Sequence, residues 1–251
     1  MERIDILGIT VHSGSIPNMV SYFDARLRSR STSRVAFLNA HLSNVCAQHP
    51  ALAQQLRDFI ILNDGVGMDI ARWFLHGAPF QQNLNGTDFT TTYLDQTSHD
   101  LRLFLLGAKP DVVAAAAKRI AARWPRHEVV GFHHGFLDLA DQDELNGTIS
   151  KLQPDMVLVG MGNPLQEQWL AANIPALAPF GVAVGAWFDF LTNTVSRAPL
   201  GWQRTRLEWV YRLSLEPKRL MGRYLIGNPL FLARLVAHRL GHVAQRKSTD
   251  A

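Results

Sequence analysis

Seven short apolar runs constrain this chain more than any other feature. They are IDILGITV (5 to 12), RVAFLN (34 to 39), FIIL (59 to 62), LRLFLLG (101 to 107), EVVGF (128 to 132), DMVLVG (155 to 160) and GVAVGA (181 to 186). Most are nearly continuous in Val, Ile, Leu and Phe, and segments of helical spacing such as PDVVAAAAKRIAARW and PLQEQWLAAN separate them. A strand that is apolar on both sides must be covered on both faces, so the sheet is expected to be mostly parallel and to lie between helical layers. The fold class read from this is α/β, doubly wound. With 251 residues and 47% hydrophobic content, the chain can build a sizeable core. The lone cysteine, Cys46, excludes a disulfide framework and reads as a small buried side chain.

From about Ser196 the strand pattern stops. Residues 196–251 carry 11 Lys and Arg against 3 Asp and Glu, whereas residues 1–195 carry 14 against 18. The division expected is therefore an α/β core over 1–195 and a basic helical appendage over 196–251. Three short helices are expected there, starting near Trp202, Pro217 and Pro229, since proline in a first turn loses no needed hydrogen bond. The last places Leu232, Leu235, Val236, Leu240 and Val243 on one side, with Arg234, Arg239 and Arg246 largely off it. That pattern suits a helix lying on a membrane surface or one docked on the core. The N-terminal MERIDILGITVHSG lacks a basic start and a long apolar stretch, and no apolar run reaches the roughly 18 residues of a spanning helix. A cytoplasmic protein, peripheral on the inner face of the cell membrane, is expected.

Ligands of open α/β sheets bind beyond the carboxyl ends of the strands. FLLGAKPDVV turns at Gly107 into a helix near Pro110, and LVGMGNPLQEQW turns at Gly160 and Gly162 into one near Pro164. Helix starts offer N–H groups to phosphate, and both turns also read as ordinary strand-to-helix connections. In ILNDGVGMDIARW, Asp64 stands just past a strand, where it can serve as a general base or as a helix cap. Asp69 reads as a solvated helix residue. The histidines of HHGF have no ligand-spaced companions, so no metal is expected; Phe136 next to them could stack on a base or belong to the core. Arg212, Arg219 and Arg223 could gather on a diphosphate or form a solvated basic face.

Taken together and in order, NDG, LNGTDF, LLGAKP, HHGF, PDMVLVGMGNPLQEQW, GVAVGAWFD, SRAP, LEWVYRL and EPKRLMGRY closely resemble the WecG/TagA/CpsF glycosyltransferase family, from about Asn39 to Tyr224. The resemblance implies a Rossmann-like core with a C-terminal appendage that completes the site. It implies metal-independent, inverting transfer from a UDP-sugar to an undecaprenyl-diphosphate-linked sugar, with no cofactor. Asp64 would be the base, and Arg212, Arg219 and Arg223 would hold diphosphate. The implied substrate-binding set is completed by Asn39, Asn85, Asp88, Gly107, Phe136, Gly160, Gly162, Asn163, Gln166, Glu167 and Asp189, with the GMGNPLQE turn cradling the nucleotide-sugar. Two departures stand out: NLNGTD, with Asn83 and Asn85, lacks an arginine often found there, and Leu38 replaces a frequent threonine. They point away from N-acetylmannosamine and towards glucose, as in the GumM-like exopolysaccharide branch; transfer of N-acetylmannosamine or its uronate is the alternative.

Two other classes compete. A nucleic-acid-binding protein would explain the basic tail, but the tail carries no RNP, helix-turn-helix or zinc-finger signature. A nucleotide-dependent oxidoreductase would need the GxGxxG fingerprint, which is missing. No nucleic-acid partner is expected, and a homo-oligomer is left open.

Overall fold

In the computed structural model, residues 1–199, 201–202 and 208–249 are described, without the side chains of 139–141, 219 and 242–249. The strands are β1 (Glu2–Ile6), β2 (Ile9–Ser13), β3 (Ser33–Leu38), β4 (Ile60–Asn63), β5 (Arg102–Gly107), β6 (Glu128–His133), β7 (Met156–Gly160) and β8 (Phe180–Ala183). They form one sheet in the order β1-β2-β4-β3-β8-β7-β5-β6. Every neighbouring pair is parallel except β1 and β2. The run expected as one strand over 5 to 12 is instead a hairpin. Leu7 and Gly8 turn the chain with φ of 55° and 85°, and the Gly8 N–H donates to Asp5 Oδ1 at 3.0 Å.

Side-chain alternation sorts the strands into two cores, one on each face of the sheet. Val35, Phe37, Leu103, Leu105, Met156 and Leu158 face one way, against α1 (Ile16–Arg28), α5 (Gly86–Gln96), α6 (Pro110–Arg123) and α9 (Trp187–Thr192). Ala36, Leu38, Phe104, Leu106, Val157 and Val159 face the other way. Against them lie α2 (Ala40–Gln48), α3 (Pro50–Gln55), α4 (Val66–His76), α7 (Leu139–Leu152) and α8 (Leu165–Leu177). This is the doubly wound α/β fold. The chain leaves β3 outward to β4 but returns through β7 to β8 on the other side of β3, so β3 and β8 flank the switch point of the sheet. A crevice opens beyond such a point because the flanking connections run to opposite faces.

From Glu208 onward the basic tail is built of helical segments: α10 (Glu208–Leu215), α11 (Pro217–Met221), a π-helical turn (Gly222–Ile226) and α12 (Gly227–Thr249). The start expected near Trp202 runs into residues 203–207, outside the described set. Pro217 does open a helix, while Pro229 sits inside the first turn of α12. One face of α12 is docked. Phe231 and Leu235 share a core with Leu42 and Met68, and Arg234 donates to Ser43 O at 3.0 Å and Asn44 Oδ1 at 2.9 Å. Asn44 Nδ2 in turn donates to Gly227 O at 2.7 Å. The outer face leaves Leu232, Val236 and Leu240 exposed at 42%, 47% and 64%.

A buried carboxylate fixes α5, which carries part of the site, onto α1. Asp24 receives Tyr93 Oη at 3.0 Å, Thr97 Oγ1 at 2.6 Å, and the Ser98 N–H and Oγ at 2.9 Å and 2.7 Å. Burial works against its charge, but these donors outweigh it and hold the carboxyl below its ordinary value of 3.8. Its stabilising contribution is therefore present above about pH 4 and is lost as the pH falls further. Asp24→Asn should lower the unfolding free energy by about 3 kcal/mol at neutral pH. Urea titrations should show that gap narrowing below pH 4.

Candidate active site

The four strands β4, β3, β8 and β7 are contiguous in the sheet, and their carboxyl ends open into one cavity of about 660 Å³. Each end contributes differently. Asp64 follows β4, Asn39 and His41 follow β3, Gly185 and Ala186 follow β8, and Gly162, Asn163 and Gln166 follow β7. Asn83, Asn85 and Asp88 close one side; Glu208, Trp209, Arg212, Arg223 and Tyr224 cover it from the tail. A smaller depression of about 410 Å³ near the N-terminus contains Arg72, already paired with Glu2 at 2.9 Å.

Asp64 is held by several opposed forces. Its own N–H donates to Leu38 O at 2.8 Å, and Asn39 Nδ2 donates to its Oδ2 at 3.2 Å. Asn39 Oδ1 is occupied in capping α2 through the Leu42 N–H at 3.0 Å, so that one side chain both starts a helix and orients the carboxylate. Burial raises the Asp64 carboxyl above its ordinary value of 3.8, against the pull of Asn39 and then of Arg223 and Arg212. His41 is pushed down to about 4 by burial and by Arg223, so it is neutral near pH 7. Asn83 Oδ1 receives the Gly65 N–H at 2.9 Å and so braces the loop that carries Asp64.

The GMGNPLQE turn is organised by its own side chains. Gln166, 4% exposed, receives the Gly162 and Gly185 N–H groups on one oxygen, at 3.2 Å and 3.1 Å. That bond staples the β7 and β8 loops together. It also occupies two backbone donors that a phosphate would otherwise take, so the turn presents side-chain amides to the cavity in their place. Gln166 Nε2 and Asn163 Nδ2 both donate to Glu167 Oε1, at 2.9 Å and 2.6 Å. Glu167 is fully buried, and burial pushes it up to about 7 against those two amides.

From the tail, Arg212 stacks its guanidinium 5.2 Å above Phe190. Its buried Nε has no hydrogen-bond partner among the described residues. Arg197, in the SRAP stretch, lies over the same ring at 5.7 Å. It bridges Asp88 at 2.7 Å and Glu208 at 3.6 Å, linking the start of α5 to the start of α10.

The structure thus brings together Asp64, Asn39, Asn85, Asp88, Gly162, Asn163, Gln166, Arg212 and Arg223. Asn85 caps α5, its amide tied to Asp88 at 2.8 Å and its oxygen to the Asp88 N–H at 2.9 Å. The remaining sequence-predicted residues do not line the cavity. Gly107 and Gly160 pack against each other where strands end: φ at Gly107 is 137°, and a Cβ there would stand 2.3 Å from Gly160 O. Glu167 lies behind the wall. Phe136, 66% exposed, belongs neither to core nor to cavity. Asp189 sits in the first turn of α9, off the wall. The side chain of Arg219 is outside the described set. Asp69, expected to be solvated, is buried at 8% exposure. Sequence reasoning missed His41, Arg197 and Glu208 as site residues. His41 is three residues past the end of β3, where the strand-end rule would have found it, and Arg197 lay in a quoted motif without an assigned role. Among the described residues no group of three or more His, Cys, Asp or Glu gathers as a metal site.

The family model described as Glycosyl transferase WecG/TagA/CpsF family matches residues 4–245. The chain belongs to this family. An N-acetylglucosaminyldiphosphoundecaprenol N-acetyl-beta-D-mannosaminyltransferase of Bacillus spizizenii is 34% identical over 184 residues, covering 72% of this chain and 69% of the relative. One of the same name from Staphylococcus aureus is 28% identical over 239 residues, covering 93% and 92%. Family membership makes this protein a glycosyltransferase, and both relatives are named for transfer to an undecaprenol-linked diphosphate sugar.

Because the Asn39 amide is the largest force stabilising the charged form of Asp64, Asn39→Ala should raise the Asp64 pKa further. Carboxyl ¹³C titration would show this; an unchanged midpoint would mean that the bond at 3.2 Å carries no weight. The lost cap should cost about 1 kcal/mol of stability.

Proposed function

We propose that this protein transfers N-acetylmannosamine from its UDP-sugar to an undecaprenyl-diphosphate-linked N-acetylglucosamine, inverting the anomeric centre. The observation that carries the sugar choice is the shared name of relatives that match up to 93% of the chain. Of the two departures that favoured glucose, only the one at Asn83 concerns a residue of the cavity wall. Leu38 is fully buried in the core and does not line the cavity. Asn83 spends its side-chain oxygen bracing the Gly65 N–H. Leu38 therefore does not argue against an acetamido sugar, and the departure at Asn83 weighs less than the shared name of the relatives.

The geometry suits a single displacement. Asp64 removes the proton of the acceptor hydroxyl as that oxygen attacks the anomeric carbon, and UDP departs from the opposite side. A carboxylate whose pKa is raised towards the working pH is a stronger base than an ordinary aspartate. Arg212 and Arg223 set cationic forks over the same cavity, suited to a diphosphate. The nearby apolar surface suits the lipid: Ile70 and Trp73 on α4, exposed at 41% and 61%, add to Leu225, Ile226, Leu232, Val236 and Leu240. In this reading residues 196–251 are a membrane-associating appendage, and the core contributes Trp73 to the same surface. No helix among the described residues is long and apolar enough to cross a membrane; the exposed apolar face of the tail is what supports surface attachment.

Purified protein given prenyl-diphosphate-N-acetylglucosamine should turn over UDP-N-acetylmannosamine in preference to UDP-glucose; the reverse preference would restore the glucose reading. Asp64→Asn should lower kcat by roughly 10²–10⁴-fold with the fold retained, and full activity would remove Asp64 from the chemistry. In vesicle sedimentation with anionic lipid, Trp73→Ser combined with Val236→Ser should weaken binding several-fold. Unchanged binding would place the membrane contact elsewhere.

A further inference from the structure

Glu167 was expected to touch substrate, yet it is fully buried behind the cavity wall. Its Oε1 receives two side-chain amides, and its Oε2 has no hydrogen-bond partner among the described residues. Glu167 Oε1 accepts whether the carboxyl is ionised or carries its proton on Oε2, so it dictates which end of each amide turns towards it. An amide oxygen placed there would put two acceptors face to face. With the nitrogen of Gln166 fixed on Glu167, its oxygen must face the Gly162 and Gly185 N–H groups, as found. Each amide nitrogen, on Gln166 and on Asn163, carries a second hydrogen. Among the described residues nothing receives either one, and both residues line the cavity.

We propose that Glu167 is a positioning residue: it orients Asn163 and Gln166 so that the cavity offers two adjacent amide N–H donors to an acceptor oxygen of the nucleotide-sugar. Its effect on binding passes through the two amides and not through contact with the ligand. The proposal rests on the nucleotide-sugar reading above and assigns that ligand a specific part of the wall.

The test uses the full chain and UDP as the probe. Glu167→Met keeps the volume and removes the acceptor. Leaving the two amides without their acceptor costs stability, offset in part because a buried carboxyl group is removed, so the melting temperature should fall only modestly. The Kd for UDP should nevertheless rise by roughly 10-fold or more, with the KM for the lipid acceptor nearly unchanged. Glu167→Gln, which retains an oxygen for both amides, should recover much of the loss. A wild-type Kd in Glu167→Met overturns the proposal. So does a rise in the lipid-acceptor KM parallel to the loss of UDP affinity, which would indicate a merely structural role. If the wild-type protein fails to bind UDP, the nucleotide-sugar reading fails instead. The positioning claim is then read from the side-chain amide NMR signals of Asn163 and Gln166. Those signals should be well dispersed in the wild type and collapse towards free-amide values in Glu167→Met; unmoved signals overturn it.

Discussion

One constraint organises this molecule: a carboxylate must stay poised at the carboxyl edge of a parallel sheet although its surroundings strip away water. Burial raises the Asp64 pKa, and only the Asn39 amide and the charges of Arg223 and Arg212 pull it back. Those counterweights come from distant parts of the chain. Asn39 is the residue after β3, while the arginines belong to the helical tail, more than a hundred residues later. The site is complete only when the tail lies over the strand ends. The docking of Phe231 and Leu235 into the core around Leu42 and Met68 is therefore a condition of the electrostatics as well as of stability.

The second organising device is economy of backbone donors. Strand-end turns in α/β folds commonly leave N–H groups for a ligand. Here Gln166 takes two of them, joining the β7 and β8 loops, and Glu167 anchors Gln166 from behind. The cavity is lined there by two amide side chains that both donate to one buried carboxyl group. Asn83 and Asn85 are used in a similar way, one bracing the Asp64 loop and the other capping α5. Asparagines that look like substrate contacts in sequence can be the frame that holds the contacts.

Much of this was legible before the structure. Continuous apolar strands such as DMVLVG announced a sheet covered on both faces; the strand-end rule pointed to Asp64 and the Gly162–Gln166 turn, and the family resemblance added Asn39. What was not legible depended on direction in space. The sequence shows that Leu38 adjoins Asn39, but only the pleat decides that Leu38 points into the core while Asn39 meets the cavity. Gly107 and Gly160 read as ligand turns because close approach and phosphate binding demand the same residue; here the close partner is the other strand's backbone. The 5 to 12 run concealed a hairpin because Leu7, a residue rarely found in the left-handed region, adopts it beside Gly8. Arg197 stood in the SRAP motif without a legible role, since its partners Asp88 and Glu208 come from elements on either side of it in the chain.

The most direct test of the account is a crystal structure with UDP bound. The account places the nucleotide in the cavity beyond β4, β3, β8 and β7, within hydrogen-bond reach of Asn163 or Gln166, with Asp64 facing the side where the sugar would attach. UDP bound outside that cavity, or an Asp64 carboxylate turned into the packed interior in the complex, would contradict it.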